Sequence, residues 1–268
     1  MEQKLSKKTR TESDLIGSRE VPESALYGVQ TLRGIENFRI SKFHLNEYPL
    51  FIQALAITKM GAAVANRELD LLTEEQTDAI LKACKEILEG KHHDQFPVDM
   101  IQGGAGTTTN MNANEVIANR ALELMGHARG EYQYCSPNDH VNRSQSTNDA
   151  YPTAIHIGLY YTHLKLVKHF ATLIEAFRKK GAEFAHIIKM GRTQLEDAVP
   201  MTLGQTFNGF ASILEHELKN LDFAAQDFLT VNMGATAIGT GITAEPEYAE
   251  KCIAALRKIT GLDIKLAD

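Results

Sequence analysis

Apolar residues recur every three to four positions along most of the chain, the spacing that places them on one face of an α-helix. This pattern predicts helices over residues 50–69, 74–88, 112–124, 149–187, 203–228 and 248–259. Gly90 closes the second of these stretches, and the glycine-rich sequence GATAIGTG, which begins at Gly234, follows the fifth. Helical signals therefore dominate, and the sequence predicts a mainly α protein.

The stretch that begins at Tyr151 has the most regular pattern. Two series of apolar residues recur there at intervals of seven, the leucines Leu159, Leu166 and Leu173 and the phenylalanines Phe170, Phe177 and Phe184. Such intervals are typical of a helical bundle seam. A helix of this extent would exceed ~50 Å in length. Two long helices cannot bury all their apolar faces against each other, so we expect a truncated polypeptide, an intimate oligomer, or both.

Composition narrows the class of protein. The chain has 268 residues, of which 43% are hydrophobic and 23% charged, as in a soluble globular protein of one large or two smaller domains. Its net charge of −6, with the signs interspersed, argues against nucleic acid or an anionic membrane as a partner. No stretch has the features of a signal peptide or a membrane span. We therefore expect a cytoplasmic protein whose residues 1–13 are mobile.

Neither the cysteines nor the histidines predict a metal site. The three cysteines are widely spaced, which favours reduced thiols over disulfides or a zinc centre. His92, His93 and Asp94 lie in the turn KHHDQFP and could be read as ligands. Adjacent histidines point in different directions on most backbones, and nothing nearby completes a site. A solvated loop is the preferred interpretation.

Three polar segments lie next to the predicted helix ends: GGAGTTTN from Gly103, SQSTND from Ser144 and GRTQLEDAVP from Gly191. Helix starts present free N–H groups and a partial positive charge, so hydroxyls and glycines there can surround an anion. For SQSTND alone, ordinary helix capping is the simpler interpretation. The segment nevertheless contains more hydroxyls and carboxamides than one cap needs.

Two common kinds of site are not supported by these segments. The glycine-rich stretches lack the Gly-Lys-Ser/Thr ending of a phosphate loop and the spaced glycines of a dinucleotide fingerprint. The sequence has no Gly-x-Ser-x-Gly motif, and no histidine stands in an evident triad setting.

Taken together, the polar segments resemble conserved regions of the aspartase/fumarase superfamily. The resemblance lies in QGGAGTTTNMNANE, SPNDHVNRSQSTNDAYPTA and GRTQLEDAVPMTLGQ, and in EVPESALYGVQTLRGIENF, which is similar to the family's N-terminal segment. It extends from about Thr11 onward, and the motifs follow in the family's order.

The resemblance implies a mainly helical, three-domain protomer. Residues 1–148 would form the N-terminal domain and residues 149–268 the first part of the central bundle, with the rest of the bundle and the C-terminal domain absent. Four subunits would form a homotetramer with a core of twenty helices, each active site being shared by three subunits. The family reaction eliminates an amine or water from a succinyl-type substrate and gives fumarate through an aci-carboxylate.

Residue by residue, the resemblance implies a substrate-binding set. Thr107, Ser146 and Thr147 match residues that hold the substrate's carboxylates, Asn148 one near the leaving group, and Thr193 one that contacts a carboxylate. Such preplaced donors would stabilise the extra negative charge of the aci-carboxylate. The resemblance also suggests structural roles for Glu115 and Asp149, and supporting roles for the polar residues Thr108, Thr109, Asn110 and Asn112.

Two features indicate the aspartase branch of the superfamily. GGAGT resembles that branch, whereas class II fumarases tend to have TGSGT, and Gln194 replaces the histidine of fumarases. Ammonia can leave without an acid, and a carboxamide cannot titrate near neutral pH, so glutamine suits an amine substrate. The expected reaction is reversible elimination of ammonia from L-aspartate. A class II fumarase and a non-catalytic structural relative remain the alternatives.

The family's general base is a serine in a third conserved region, a mobile loop that is followed by a lysine and an asparagine. We expect this region to lie beyond Asp268, so that the 268-residue chain would lack the base and be inactive alone. No cofactor is expected to be required, although activation by a divalent metal remains possible.

Overall fold

Helices form most of this computed structural model, which describes residues 8–267. The α-helices of these residues are α1 (Val29–Asn37), α2 (Pro49–Glu68), α3 (Glu74–Leu88), α4 (Thr107–Leu124), α5 (Thr147–Glu183), α6 (Leu203–Ala225) and α7 (Tyr248–Thr260). The strands are β1 (Thr9–Asp14), β2 (Gly17–Pro22), β3 (Ile188–Thr193), β4 (Glu196–Thr202), β5 (Thr230–Val231) and β6 (Lys265–Leu266). The strands pair as β1 with β2 and β3 with β4, both antiparallel, and β5 with β6, parallel. The prediction of a mainly α protein is confirmed.

Local signals explain why some helices begin where the sequence predicts. Thr73 precedes α3, its hydroxyl accepts a bond from the Gln76 amide at 3.2 Å, and the Gln76 carboxamide accepts one from the Thr73 amide at 3.1 Å. This reciprocal cap satisfies two N–H groups that have no partner inside the helix. Thr202 and Gln205 form the same arrangement at the start of α6.

The start of α4 differs from the prediction. The apolar pattern suggested a helix from residue 112, but the helix begins at Thr107, so three threonines of the polar segment belong to its first turn. Asn110, Asn112 and Asn114 are buried in this helix alongside apolar residues. A pattern based on hydrophobicity does not count such carboxamides, so it placed the start of the helix too late.

Glu115 of α4 ties that helix to the start of α1. Its carboxylate accepts bonds from the amides of Gly28 and Gln30, each at 2.8 Å, and of Thr31 at 3.0 Å. These amides belong to the first turn of α1, which has no side-chain cap from its own N-cap residue. Burial raises the pKa of Glu115 to about 7, against the opposing effect of its hydrogen bonds. These contacts agree with the structural role expected for Glu115.

The described residues divide into two compact units, one comprising residues 8–158 together with 229–267, and the other comprising residues 159–228. In the first unit α7 packs on α2, where Gly61 leaves room for Leu256. The predicted division between residues 148 and 149 stays a prediction. Residues 1–7 of the segment expected to be mobile lie outside the described residues, whereas Thr9–Asp14 is a paired strand.

In the second unit, two phenylalanines of one heptad series are packed, whereas the leucine series is exposed. Phe177 and Phe184 pack against Phe207 of α6, with ring centroids 6.0 and 5.6 Å apart. The leucine series remains 43%, 44% and 40% exposed at Leu159, Leu173 and Leu166. This unit therefore presents an apolar surface along α5.

The segment from Gly191 to Pro200 was predicted to be a loop and is instead most of a β-hairpin. Strands β3 and β4 meet at a two-residue turn, Gln194 and Leu195, whose φ angles are 48° and 68°. Turns of this kind usually carry asparagine or glycine, and neither is present here. The prediction was wrong because the turn lacks its usual sequence signal.

Within residues 8–267, no helix has both the length and the apolar content that crossing a membrane requires.

Candidate functional site

The starts of α4 and α5 meet, and a glycine makes the approach possible. Gly104, Ala105 and Gly106 lead into α4 with φ angles of 72°, 49° and 97°. A Cβ atom on Gly106 would overlap the ring of Tyr151 in the first turns of α5. Positive φ and close packing both favour glycine at this position. The GGAG sequence thus brings two of the three predicted polar segments together.

Thr107, the first residue of α4, is exposed at this junction. Its hydroxyl donates to the carbonyl of Gly104 at 2.6 Å, and its amide donates to the same carbonyl at 3.1 Å. The N-cap residue Gly106 has no side chain to cap the helix. Rotation of the Thr107 hydroxyl would direct its proton toward an anion bound at this helix start.

Ser146 caps α5, so the simpler interpretation of its segment is correct for this residue. Its hydroxyl oxygen accepts a bond from the Asn148 amide at 3.2 Å, and its own amide donates to Asp149 Oδ1 at 2.9 Å. Accepting a bond uses a lone pair of the hydroxyl and leaves its proton available. Ser146 can therefore cap the helix and still donate to a ligand.

Thr147 is linked to α4 through a carboxamide. Asn110 Nδ2 donates to Thr147 Oγ1 at 3.2 Å, and the Asn110 side chain is buried. The bond connects the two helix starts directly. Asn110, which was expected to have only a supporting role, thereby contacts a predicted substrate-binding residue.

Lys59 of α2 is a functional candidate that the sequence analysis did not single out. It is only 1% exposed, and its Nζ donates to Asn110 Oδ1 at 2.8 Å, Asn142 Oδ1 at 2.9 Å and Gln145 Oε1 at 2.8 Å. Burial lowers the pKa of Lys59 to about 7, while the carboxylate of Asp149 acts in the opposite direction. A lysine inside the apolar run ALAITKMGAAVA was the signal that could have revealed it.

Asn148 lines an open cavity of about 560 Å³ beside the start of α5. Its Nδ2 donates to the carbonyl of Ala237 at 2.7 Å, and its own carbonyl accepts from Asn232 Nδ2 at 3.1 Å. The remaining wall comes mainly from residues 234–241, the glycine-rich segment that follows β5. This segment does not serve as the end of α6, which stops earlier, at Ala225.

Asp149 holds that glycine-rich segment in place. Its Oδ2 accepts bonds from the amides of Gly234 at 3.1 Å and Thr236 at 2.9 Å, both of them buried interactions. Burial raises the pKa of Asp149, while hydrogen bonds from three backbone amides lower it. Because both oxygens are committed to backbone amides, the contacts agree with the structural role expected for this residue.

Thr193 and Gln194 lie at the exposed tip of the β3–β4 hairpin. They belong to the unit formed by residues 159–228, whereas Thr107 and the three residues 146–148 belong to the other unit. The union of all six predicted residues in one site stays a prediction.

The histidines of the KHHDQFP turn contact protein groups. His92 Nε2 lies 2.8 Å from Glu86 Oε2, and His93 Nε2 lies 2.8 Å from the carbonyl of Ile87. Across residues 8–267, no group of three or more His, Cys, Asp or Glu side chains is arranged to hold a metal ion.

A comparison with known protein families shows the family to which the chain belongs. The family model described as Lyase matches residues 17–268, and the chain belongs to this family. The resemblance seen in the sequence motifs is thereby confirmed.

Individual relatives are consistent with this membership. The chain is 56% identical over 253 residues to an aspartate ammonia-lyase of Pseudomonas fluorescens, covering 94% of this chain and 53% of the relative. It is 53% identical over 258 residues to an aspartate ammonia-lyase of Escherichia coli K12, covering 96% of this chain and 54% of the relative. The chain thus spans about half the length of these curated relatives.

Solved structures show the same fold. A fumarate lyase:delta crystallin from Brucella melitensis, bound to cobalt, matches with a TM-score of 0.93 at 50% identity, over 97% of this chain and 57% of that one. A class II fumarase from Schistosoma mansoni matches with a TM-score of 0.86 at 35% identity, over 95% of this chain and 53% of that one. The predicted aspartase/fumarase-like fold is confirmed.

Proposed function

We propose that the protein containing this chain is an aspartate ammonia-lyase, which converts L-aspartate reversibly to fumarate and ammonia. The observation that carries the proposal is the meeting of two polar helix starts, where Asn110 joins α4 to Thr147 of α5. The names of the curated relatives support the same reaction. Family membership alone would not select a substrate, since one fold serves several reactions.

The reaction needs stabilisation of negative charge more than it needs a strong base. A general base removes a proton from C3 of L-aspartate, and the electron pair first spreads into the adjacent carboxylate as an aci-carboxylate. The pair then forms the C2–C3 double bond as the C2–N bond breaks and ammonia leaves. Preplaced hydrogen-bond donors lower the barrier because they contact charge that develops in the transition state.

Three hydroxyls of this chain suit that task. We assign Thr107, Ser146 and Thr147 to the substrate's carboxylates, chiefly to the one that becomes the aci-carboxylate. Ser146 and Thr147 each accept a hydrogen bond from the protein, which leaves their protons available as donors. The starts of two helices add partial positive charge at the same place. The general base is assigned to no residue of this chain.

The other predicted residues receive supporting assignments. Asn148 lies at the edge of the cavity and is assigned to the neighbourhood of the leaving group. Thr193 is assigned to a substrate carboxylate, and Gln194 to the positioning of the amine. Both lie on an exposed hairpin tip, where they could contact another subunit. This position is compatible with a site formed by several subunits. No cofactor is proposed to be required, although divalent metal activation is compatible with the assignment.

A class II fumarase is the second candidate, and its structural similarity is the observation in its favour. Gln194 argues against it. Elimination of water requires protonation of a poor leaving group, and a carboxamide supplies no titrating proton near neutral pH. A non-catalytic structural relative is the third candidate.

We further propose a cytoplasmic homotetramer in which three subunits contribute to each active site. The exposed leucines of α5 support an apolar contact with other helices, because such a surface is unfavourable in water. Light scattering of the full-length protein tests the assembly, and a monomer at micromolar concentration would contradict it.

A direct assay offers L-aspartate, L-malate and argininosuccinate separately to the full-length protein and follows the ultraviolet absorbance of fumarate. L-aspartate should be consumed, and turnover of L-malate alone would refute the proposed reaction.

The hydroxyl assignments predict the effect of removing single donors. Thr107→Ala and Ser146→Ala should each lower kcat/KM by at least about tenfold, or ~1.4 kcal/mol. Ser13→Ala is the matched control, because this serine is exposed on the β1–β2 hairpin, where its hydroxyl bonds to that of Ser18. If both site variants keep the parent's kcat/KM, the assignment of these hydroxyls is wrong.

A further inference from the structure

Lys59 has an unusual environment for a buried cation. A lysine ammonium carries three protons and no lone pair, so it can only donate. Its three acceptors are all carboxamide oxygens, and they come from α4 and from the segment between the two helix starts. All three protons are therefore used. Within residues 8–267 no carboxylate lies within ion-pair distance of Lys59, and Asp149 acts on it through its charge without contact.

The acceptors are held in the required orientation by their other ends. Asn142 Nδ2 donates to the carbonyl of Gln145 at 3.2 Å, and Gln145 Nε2 donates to the carbonyl of Val141 at 2.9 Å. A carbonyl can only accept, so each of these NH₂ groups must face it and each amide oxygen must face Lys59. The orientation of each carboxamide is thus fixed twice, by the ammonium at its oxygen and by a backbone carbonyl at its NH₂ group.

Lys59 also fixes the orientation of the Asn110 carboxamide, which reaches the candidate site. Lys59 takes its Oδ1, which turns its NH₂ toward Thr147 Oγ1 at 3.2 Å and Asn142 Oδ1 at 3.1 Å. Thr147 Oγ1 then acts as an acceptor toward the protein. Its own proton is left for a group outside this network. A bond from an ammonium also polarises the carboxamide and strengthens the bonds that follow it.

We propose that Lys59 is a positioning residue that sets the direction of a hydrogen-bond chain from Lys59 through Asn110 to Thr147, so that the Thr147 hydroxyl donates to the substrate's carboxylate. The inference rests on the proposed function, because it assumes an anionic substrate at Thr147. It goes beyond that function by assigning a role to a buried cation that touches no substrate.

Asn110→Asp separates this role from a merely structural one. Aspartate has the shape of asparagine, keeps an oxygen on Lys59 and adds an ion pair to it. It has no N–H for Thr147, and its second oxygen would accept the Thr147 proton in place of the substrate. Lys59 would keep its acceptor at position 110 after this change, whereas the bond to Thr147 would be reversed and the bond to Asn142 Oδ1 would be lost.

The experiment measures kcat/KM for L-aspartate in the full-length protein and in its variants. Asn110→Asp should lower it by about tenfold or more. The melting temperature of each variant shows that it is folded, and it also registers the lost bond from Asn110 to Asn142. In a Thr147→Val background the same change should cost less than about threefold, because the two residues act on one donor. An Asn110→Asp variant with the parent's kcat/KM, or losses that multiply in the double variant, would overturn the proposal.

Lys59→Met provides an independent test. It should lower kcat/KM by about tenfold or more, and by less than about threefold in the Thr147→Val background. If this variant does not fold, Asn110→Asp carries the test. Lys82→Met is the matched control, since Lys82 is exposed on α3 and should leave kcat/KM unchanged. A Lys59→Met variant that folds and keeps the parent's kcat/KM would also overturn the proposal.

Failure of the proposed function is recognised separately. Parent activity toward L-aspartate tests that function before any variant is compared. If the parent is inactive, the same variants are compared by their Kd for fumarate. Asn110→Asp and Lys59→Met should then weaken binding, and they should do so less in the Thr147→Val background. A parent that is active and equals its Asn110→Asp variant contradicts the hydrogen-bond chain alone, and a parent that neither reacts with nor binds a dicarboxylate contradicts both.

Discussion

Replacing Gly106 by alanine would perturb the contact between the starts of α4 and α5. Gly106 has a φ of 97°, and an added Cβ atom would overlap the ring of Tyr151. The left-handed conformation costs an L-residue about 1–2 kcal/mol. Overpacking adds about 1–3 kcal/mol. Alanine also restricts the unfolded chain, which returns about 0.4–1 kcal/mol, so the expected loss in the free energy of unfolding is about 1–5 kcal/mol.

A matched glycine separates the two contributions. Gly90 has a φ of 86°, and a Cβ atom there would meet nothing within 4 Å. Gly90→Ala should therefore show the conformational cost alone. The difference between the two alanine variants isolates the overlap with Tyr151, expected to be about 1–3 kcal/mol. Urea unfolding of the full-length protein, at one protein concentration throughout, gives these values.

A double variant supplies the decisive comparison. Tyr151→Leu removes the ring, so it should cost less in the Gly106→Ala background than in the parent, by about the overlap energy. Equal costs in the two backgrounds, or a Gly106→Ala variant no less stable than Gly90→Ala, would refute the packing argument.

Two further changes test the surrounding structure. Asp149→Asn places an NH₂ group against a backbone amide of Ser146 or of the pair Gly234 and Thr236, so thermal unfolding should show a loss of about 1–3 kcal/mol, and faster hydrogen exchange at those amides should accompany it. The Arg120 guanidinium lowers the pKa of Glu86 from 4.5 to about 2, so the stability that this carboxylate contributes is present above pH 4.5 and is lost as the pH falls toward 2. Glu86→Gln should lack this part of the acid-dependent loss in urea titrations, and equal pH dependence in variant and parent would contradict the assignment.

The helices were predictable where their signals are local. For α3, the apolar period from Glu74 to Leu88 predicts the face that packs in the core. Thr73 marks the N-cap of this helix, and Gly90 follows its end. These features act within a few residues of one another, so the sequence by itself determined them. The hairpin between α5 and α6 was missed because the turn at Gln194 and Leu195 lacks asparagine and glycine.

The hydrogen-bonding roles inside the candidate site required the tertiary structure. The sequence by itself determined that Thr107, Ser146 and Thr147 follow glycines or precede a long helix, and that one lysine interrupts the apolar run of α2. Only the folded chain brings Lys59 to Asn110, 51 residues away, and to Gln145, 86 residues away. A buried ammonium must find its acceptors wherever the packing of helices places them, and their order along the chain does not reveal which groups those are.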